Sequence, residues 1–262
     1  MTFDELLGNV RQNDELQVSP DWRQGRASFG GLVTALVFEA MVAKVTDGRA
    51  MRALQVSFVG PVEAGVPFRV SAELLREGKA VSQVQGRITQ GGEPRLVCLA
   101  SFGGGRESAV RVEPAAAPQA KPVDLCGSLP HIPGVTPEFT RHIEMRWAFG
   151  HLPFSGKGGR EMGGWMKFRE TPERMTDAHI IALVDAWPPA LLPHLKVPAP
   201  ASSLSWALEV VHPRPQMKPD DWLLYRATID QAGAGYGHIH AGIWTPDGDL
   251  VALSRQTVTV FG

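Results

Sequence analysis

An α+β fold made of two tandem copies of one unit, each a long buried helix wrapped by an antiparallel sheet, is predicted by three features of the 262-residue sequence. An apolar helix followed by four short extended segments occurs twice. Short runs of the first half fall on similar runs of the second at a nearly constant spacing. Finally, 28 glycines and 21 prolines, together well above the usual ~12% of residues, supply the many turns such a fold needs.

Gly30-Gly31 introduces the first helix, predicted over Leu32 to Val45. It is apolar nearly all round, the mark of a buried helix. Four strands are predicted next: Ala53 to Val59, Pro67 to Glu77, Ala80 to Gln90 and Arg95 to Phe102. They are rich in Val, Leu or Phe and separated by turns such as Gly78-Lys79 and Gly91-Gly92-Glu93-Pro94, as in an antiparallel meander. From Arg111 to Thr140, Pro114, Pro118, Pro122, Pro130, Pro133 and Pro137 exclude helix interior and central strand. This stretch is expected to be a surface connector pinned by Leu125 and Ile132. The second helix is predicted over Asp177 to Trp187, capped by Thr176 or Asp177 and stopped by Pro188-Pro189. Strands are then predicted at Leu204 to His212, Trp222 to Asp230, Gly235 to Trp244 and Leu250 to Val260.

The repeat is explicit. Leu54-Gln55-Val56 falls on Leu208-Glu209-Val210 and Phe68-Arg69-Val70 on Trp222-Leu223-Leu224, both at an offset of 154, which also carries Pro61 onto Pro215. Arg87-Ile88-Thr89 falls on Ile243-Trp244-Thr245 at 156. Four matches in order argue for a duplicated unit, with one copy over residues 1–110, a connector over 111–140 and the second copy over 141–262. A long buried helix inside a curved antiparallel meander is the hotdog arrangement, here a double hotdog.

Lys and Arg total 26 against 27 Asp and Glu, a formal net charge of −1. Nucleic-acid binders usually carry a basic surplus, so no nucleic-acid partner is expected. With 44% hydrophobic and 20% charged residues, the chain has the means to form a core and stay dissolved. Cys98 and Cys126 cannot make a disulfide framework, which points to a reducing compartment. The acidic start Met1-Thr2-Phe3-Asp4-Glu5 lacks the basic region of a signal peptide. The longest apolar run, Leu32 to Ala43, falls short of the ~20 residues a membrane span needs. A cytoplasmic protein with no membrane partner is expected.

Phe29-Gly30-Gly31 opening a helix, Leu74-Leu75-Arg76-Glu77-Gly78-Lys79 and Leu99-Ala100-Ser101-Phe102 form one set of short motifs. Trp222-Leu223-Leu224-Tyr225 and Asp247-Gly248-Asp249-Leu250-Val251-Ala252 continue it in the second half. In order and spacing the set resembles the bacterial acyl-CoA thioesterase II (TesB-like) family of double hotdogs, over nearly the whole chain and least between Arg111 and Thr176. The resemblance implies an acyl-CoA substrate, no cofactor and further association into homo-oligomers. It also implies three groups that hold an attacking water: an Asp on the second helix, a Thr on the following strand and a Gln on the last strand. By position these fall on Asp185, on Ser205 (allowing a one-residue insertion before Trp222) and on Gln256.

The residues bear on these assignments independently. On a helical wheel Ile180, Leu183, Val184 and Trp187 share one stripe, and Ile181, Ala182 and Ala186 cover much of the rest. Asp185 is the only carboxylate between Asp177 and Pro188. A buried carboxylate costs several kcal/mol or takes up a proton unless something compensates it, and a water-activating site is one such arrangement. The plain alternative is a solvated Asp at a helix end. Alternation puts Ser254, Gln256 and Val258 on one strand face, and an inward Gln offers a donor and an acceptor to a water; an exposed strand polar residue is the alternative. Ser205 keeps the hydroxyl of a Thr, and is otherwise an ordinary strand serine.

Thioester hydrolysis needs a water, a base and donors for the oxyanion. Asp185 would be the general base, Gln256 and Ser205 would orient the water, and helix N-terminal amides near Gly31 or Asp177 would meet the oxyanion. Weaker signals lie elsewhere. His238 and His240 share a strand face, but nothing completes a metal site. Gly156-Lys157-Gly158-Gly159-Arg160 hints at phosphate binding, yet fits neither the P-loop nor the dinucleotide pattern. No Gly-x-Ser-x-Gly elbow exists. One rival is a hotdog enoyl-CoA hydratase or dehydratase, for which the second helix offers only Asp177 and His179. The other is a non-catalytic acyl-CoA-binding protein.

Overall fold

The structure, a computed structural model, describes residues 1–261. The first half contains α1 (Phe3–Val10), β1 (Glu15–Leu16), the small pair β2 (Arg23–Gln24) and β3 (Ala27–Ser28), and α2 (Gly30–Val42). Then come β4 (Ala50–Phe58), β5 (Phe68–Glu77), β6 (Val81–Gln90) and β7 (Glu93–Gly103). The second half contains β8 (Gly127–Ser128), β9 (Ile143–Phe149), β10 (Glu161–Phe168), α3 (Asp177–Val184), β11 (Ala201–Val210), β12 (Leu223–Gly233), β13 (Tyr236–Trp244) and β14 (Leu250–Val260).

Twelve strands form one antiparallel sheet in the order β1-β5-β6-β7-β4-β11-β14-β13-β12-β10-β9-β8. Reading outward from the β4–β11 seam, the order β4-β7-β6-β5 on one side is matched by β11-β14-β13-β12 on the other. Across the seam Leu54 pairs directly with Leu208. These are the two residues the sequence offset superposes, so the repeat is realised as an approximate two-fold passing between them. Leu54 and Leu208 are both fully buried, and the helices α2 and α3 pack against one another beneath the sheet. The double hotdog expected from the sequence is the observed fold.

The predicted strands lie within a few residues of the observed ones, and the departures have physical causes. α2 starts two residues early, because Gly30-Gly31 forms its first turn instead of preceding it. α3 stops at Val184 rather than Trp187, with Asp185 as its C-cap at φ −83 and ψ −5. Trp187 precedes a proline, which disfavours helical backbone there. The connector carries one-turn 3-10 helices at Val123–Leu125 and Glu138–Arg141 and the edge strand β8. Its expected pins are exposed, Leu125 at 75% and Ile132 at 44%. Phe139 does that work instead: it is buried and stacked on Phe29 at 4.1 Å between ring centroids.

α1 was not expected. Thr2 and Glu5 form a reciprocal capping box, and Phe3, Leu6, Leu7 and Val10 bury one face of the helix. Arg11 Nε donates to Glu39 of α2 at 2.7 Å, and the Phe3 ring packs edge-on against His179 of α3 at 4.9 Å. α1 thus covers the place where the C-terminal end of α2 meets the start of α3. No helix among the described residues is long and apolar enough to cross a membrane.

Candidate active site

From Ala178 to Val184 every residue of α3 is buried. The chain therefore meets Asp185 as its first carboxylate since Asp177, at the point where the end of α3 abuts the start of α2. Gly30 and Gly31 allow that approach. A Cβ at Gly30 would lie 2.8 Å from Asp185 Oδ2 and 3.2 Å from the Phe58 ring. At Gly31 it would lie 2.9 Å from the Ala182 carbonyl oxygen and 3.0 Å from Asp185 Cβ. The negative end of α3 disfavours an anion at its own C-cap, while the positive end of α2 favours one. Asp185 sits between the two.

Gln256 reaches the same place from β14, donating its Nε2–H to Asp185 Oδ1 at 3.1 Å. Burial pushes the Asp185 carboxyl up from the ordinary 3.8 to about 7. The Gln256 donor and the Gly31 backbone N–H favour the charged form and are outweighed. Among the described residues no Lys, Arg or His offsets the charge. Although protein atoms crowd the carboxylate, Asp185 as a residue keeps partial contact with solvent, which a group that meets water requires.

Ser205 does not join them. Trp206 pairs with Gln256 across β11 and β14 and is buried, so those two share the inner face, while Ser205 pairs with Thr257 and is exposed on the outer face. The structure brings together Asp185 and Gln256 and leaves the third expected group outside. A register shift between Ser203 and Ser205 accommodates Leu204 as an extra residue, and beyond it Ser203 pairs with the buried Val258. Directly opposed residues share a face, which puts Ser203 on the inner side with Gln256. Alternation alone could not find it, because the bulge reverses the parity of the strand.

An aromatic row flanks Asp185. Tyr225 of β12 is buried, and burial together with the Asp185 charge pushes its hydroxyl pKa up. Trp187 stacks on Tyr225 at 5.7 Å, and Trp147 of β9 meets Trp187 edge-on at 4.8 Å. The Nε1–H groups of both tryptophans are buried and lack a hydrogen-bond partner among the described residues. None of the three stands among the candidate site residues expected from the sequence.

The other candidates are engaged elsewhere. Asp177 pairs with Arg214. His179 bonds Asp4 Oδ1 through Nε2 at 2.9 Å and Thr176 Oγ1 through Nδ1 at 2.8 Å. Both lie at the start of α3, the end opposite Asp185. His240 pairs with Asp230 at 2.7 Å and His238 faces Thr257 at 3.4 Å. No group of three or more His, Cys, Asp or Glu able to hold a metal occurs among the described residues.

Two family models match the chain: the acyl-CoA thioesterase N-terminal domain over residues 18–103 and the acyl-CoA thioesterase C-terminal domain over residues 111–260. Nothing matches among curated proteins. Among solved structures, the chain is similar to a hot dog fold protein of unknown function from Alicyclobacillus acidocaldarius, with 23% identity, a TM-score of 0.80 and coverage of 95% of this chain and 92% of that one. It is also similar to the acyl-CoA thioesterase II TesB2 from Mycobacterium marinum, with 22% identity, a TM-score of 0.73 and 94% and 92% coverage. The tesB protein of Mycobacterium avium subs. paratuberculosis matches at 15% identity and a TM-score of 0.78 over 100% of both chains.

Proposed function

The chain belongs to the acyl-CoA thioesterase family, and on that premise we propose that it hydrolyses an acyl-CoA thioester to a carboxylic acid and coenzyme A with Asp185 as general base. One observation carries this reading: a crowded carboxylate with no cationic partner, its pKa raised to about 7 and its Oδ1 held by Gln256. A base is most effective when its pKa lies near the working pH, and burial has moved Asp185 there.

In the proposed step the deprotonated Asp185 takes a proton from water as the water oxygen bonds to the thioester carbonyl carbon. The carbonyl electrons move to oxygen, and, with the Gly31 N–H held by Asp185, the other orphan N–H groups in the first turn of α2 are donors available to that oxyanion. When the carbonyl re-forms, the C–S bond breaks and the thiolate leaves as coenzyme A, taking up a proton. Gln256 keeps the carboxylate in place. For the hydroxyl that orients the water, Ser203 has the better position, since Ser205 lies on the outer face.

Release of free thiol from acyl-CoAs of varied chain length tests the reading. Turnover is expected to rise with pH through about 7 as Asp185 ionises, to be lost in Asp185→Asn, and to fall at least tenfold in Ser203→Ala but not in Ser205→Ala. Undiminished turnover in Asp185→Asn would sink the role of Asp185. The hydratase reading has less support, because Asp177 and His179 are tied to Arg214 and Asp4.

A further inference from the structure

A cavity of about 300 Å³ opens beside β8 and β9, lined by Ser128, Trp147, His151, Leu152, Ser155 and Lys157, and its wall residue Trp147 meets Trp187 edge-on. Its size is at the lower end for a small-ligand site. Its outer wall is the glycine-rich loop Gly156-Lys157-Gly158-Gly159, in which Gly156 and Gly158 adopt φ of 67° and 66°, a region that suits glycine. This loop is held in place. Phe154 N–H donates to the Leu192 carbonyl and Gly156 N–H to that of Leu195, both at 2.9 Å, and His194 Nε2 meets the Gly159 carbonyl at 2.7 Å. The segment it is held against, residues 192–195, lies a few residues beyond Asp185 in the chain, so the loop is tied to the stretch of backbone that leaves the proposed base.

The loop is basic and its charges are free. Lys157 and Lys196 are exposed, and neither enters an ion pair among the described residues. Lys196 runs along the loop, its Cγ only 2.8 Å from where a Gly156 Cβ would stand. Lys121 lies on the other flank, close enough for its charge to act on Cys126 beside Gly127. In a chain of net charge −1 this is a local concentration of positive charge next to hydroxyls, which is what phosphate oxygens bind.

The second observation lies between this cavity and Asp185. Trp147 and Trp187 present two buried indole N–H donors without a protein acceptor. A buried donor left unpaired costs about 1–3 kcal/mol, so such a pair calls for acceptors brought by a ligand. Resting on the thioesterase reading above, we propose that the cavity and its lysines receive the phosphate end of the coenzyme A moiety. The pantetheine arm then runs along the row Trp147, Trp187 and Tyr225 to the thioester at Asp185, its amide carbonyls accepting from the two indoles. The acyl group is thereby assigned to the opposite side of Asp185.

Paired substrates test this: an acyl-CoA and the same acyl group on N-acetylcysteamine, which lacks the phosphates. Lys157→Glu should lower the ratio of kcat/KM for acyl-CoA to that for the truncated thioester about tenfold, the size of one charge-assisted contact, through KM rather than kcat. Raised salt should shrink the difference, and Lys79→Glu, in a distant turn, should leave the ratio unchanged. Trp147→Phe, which keeps an aromatic ring and removes the N–H, should raise KM for acyl-CoA. An unchanged ratio in Lys157→Glu, or an equal loss for both thioesters, overturns the proposal. Should the wild type cleave neither thioester, it is the thioesterase reading that fails. Calorimetry with coenzyme A itself then decides this one: weaker binding by Lys157→Glu upholds it and equal binding overturns it.

Discussion

Replacing Asp185 by Asn is expected to make the protein more stable at pH 8 while removing its activity. The carboxyl titrates at about 7 in the folded chain and near 3.9 in an unfolded one. Between those values the folded state holds a proton that the unfolded state has released, so stability falls as pH rises, and above pH 7 the whole cost stands. Three units at 1.36 kcal/mol each come to about 4 kcal/mol. That is a ceiling, because Asp185 keeps some contact with solvent. Asn brings one acceptor oxygen where Asp brought two toward Gln256 and Gly31, a loss of about 1 kcal/mol. The balance is a gain of about 2–3 kcal/mol at pH 8 that shrinks as pH falls and by pH 4 turns into a deficit of about 1 kcal/mol. Urea unfolding of both proteins from pH 4 to 8 measures it. Taking the difference at each pH cancels groups common to both, such as His142 and His179, whose pKa values are lowered mainly by burial. A difference that does not change with pH, or an Asn variant less stable at pH 8, would refute the reasoning.

Three further substitutions test the packing of the site and of the connector. Gly31→Ala would place a Cβ 2.9 Å from the Ala182 carbonyl oxygen, which belongs to backbone and cannot swing away; a loss of about 1–3 kcal/mol, read in thermal unfolding, is expected with a fall in kcat larger than any change in KM. Within the connector, Phe139→Ala should cost about 3–5 kcal/mol, whereas Leu125→Ala, at a side chain 75% exposed, should stay within about 0.5 kcal/mol by urea unfolding.

Asp185 and Gln256 stand out in the sequence as candidates because one is a carboxylate ending an apolar helix and the other an amide on a strand face shared with Val258. Both lie in the second copy, whose sheet sets β14 beside β11. Ser205, expected beside them, lies on the outer face for a local reason: the bulge at Leu204 leaves two consecutive exposed residues and inverts the faces beyond it. The stripe Phe3, Leu6, Leu7 and Val10 behind Thr2 and Glu5 carried a readable signal for α1. β10 was masked by Gly163-Gly164, which contribute no side chains to an alternating pattern although both are buried in the strand. The cavity beside Trp147 was not legible, because β8, β9 and the basic loop come together only through tertiary pairing.

The approximate two-fold through Leu54 and Leu208 creates two helix junctions, and only one is left open. Where α3 ends on α2, Asp185 meets Gln256; where α2 ends on α3, Glu39 is taken by Arg11, and Phe3 and Asp4 close over His179. A protein assembled from two identical halves would carry one reactive carboxylate per half. Here α1 closes one of the two junctions, so the expected stoichiometry is one inhibitor bound per chain. The open junction also draws Asp185 from one half and Gly31 from the other. Neither half expressed alone would hold a complete centre, and activity should return only when the two are mixed and the β4–β11 seam re-forms.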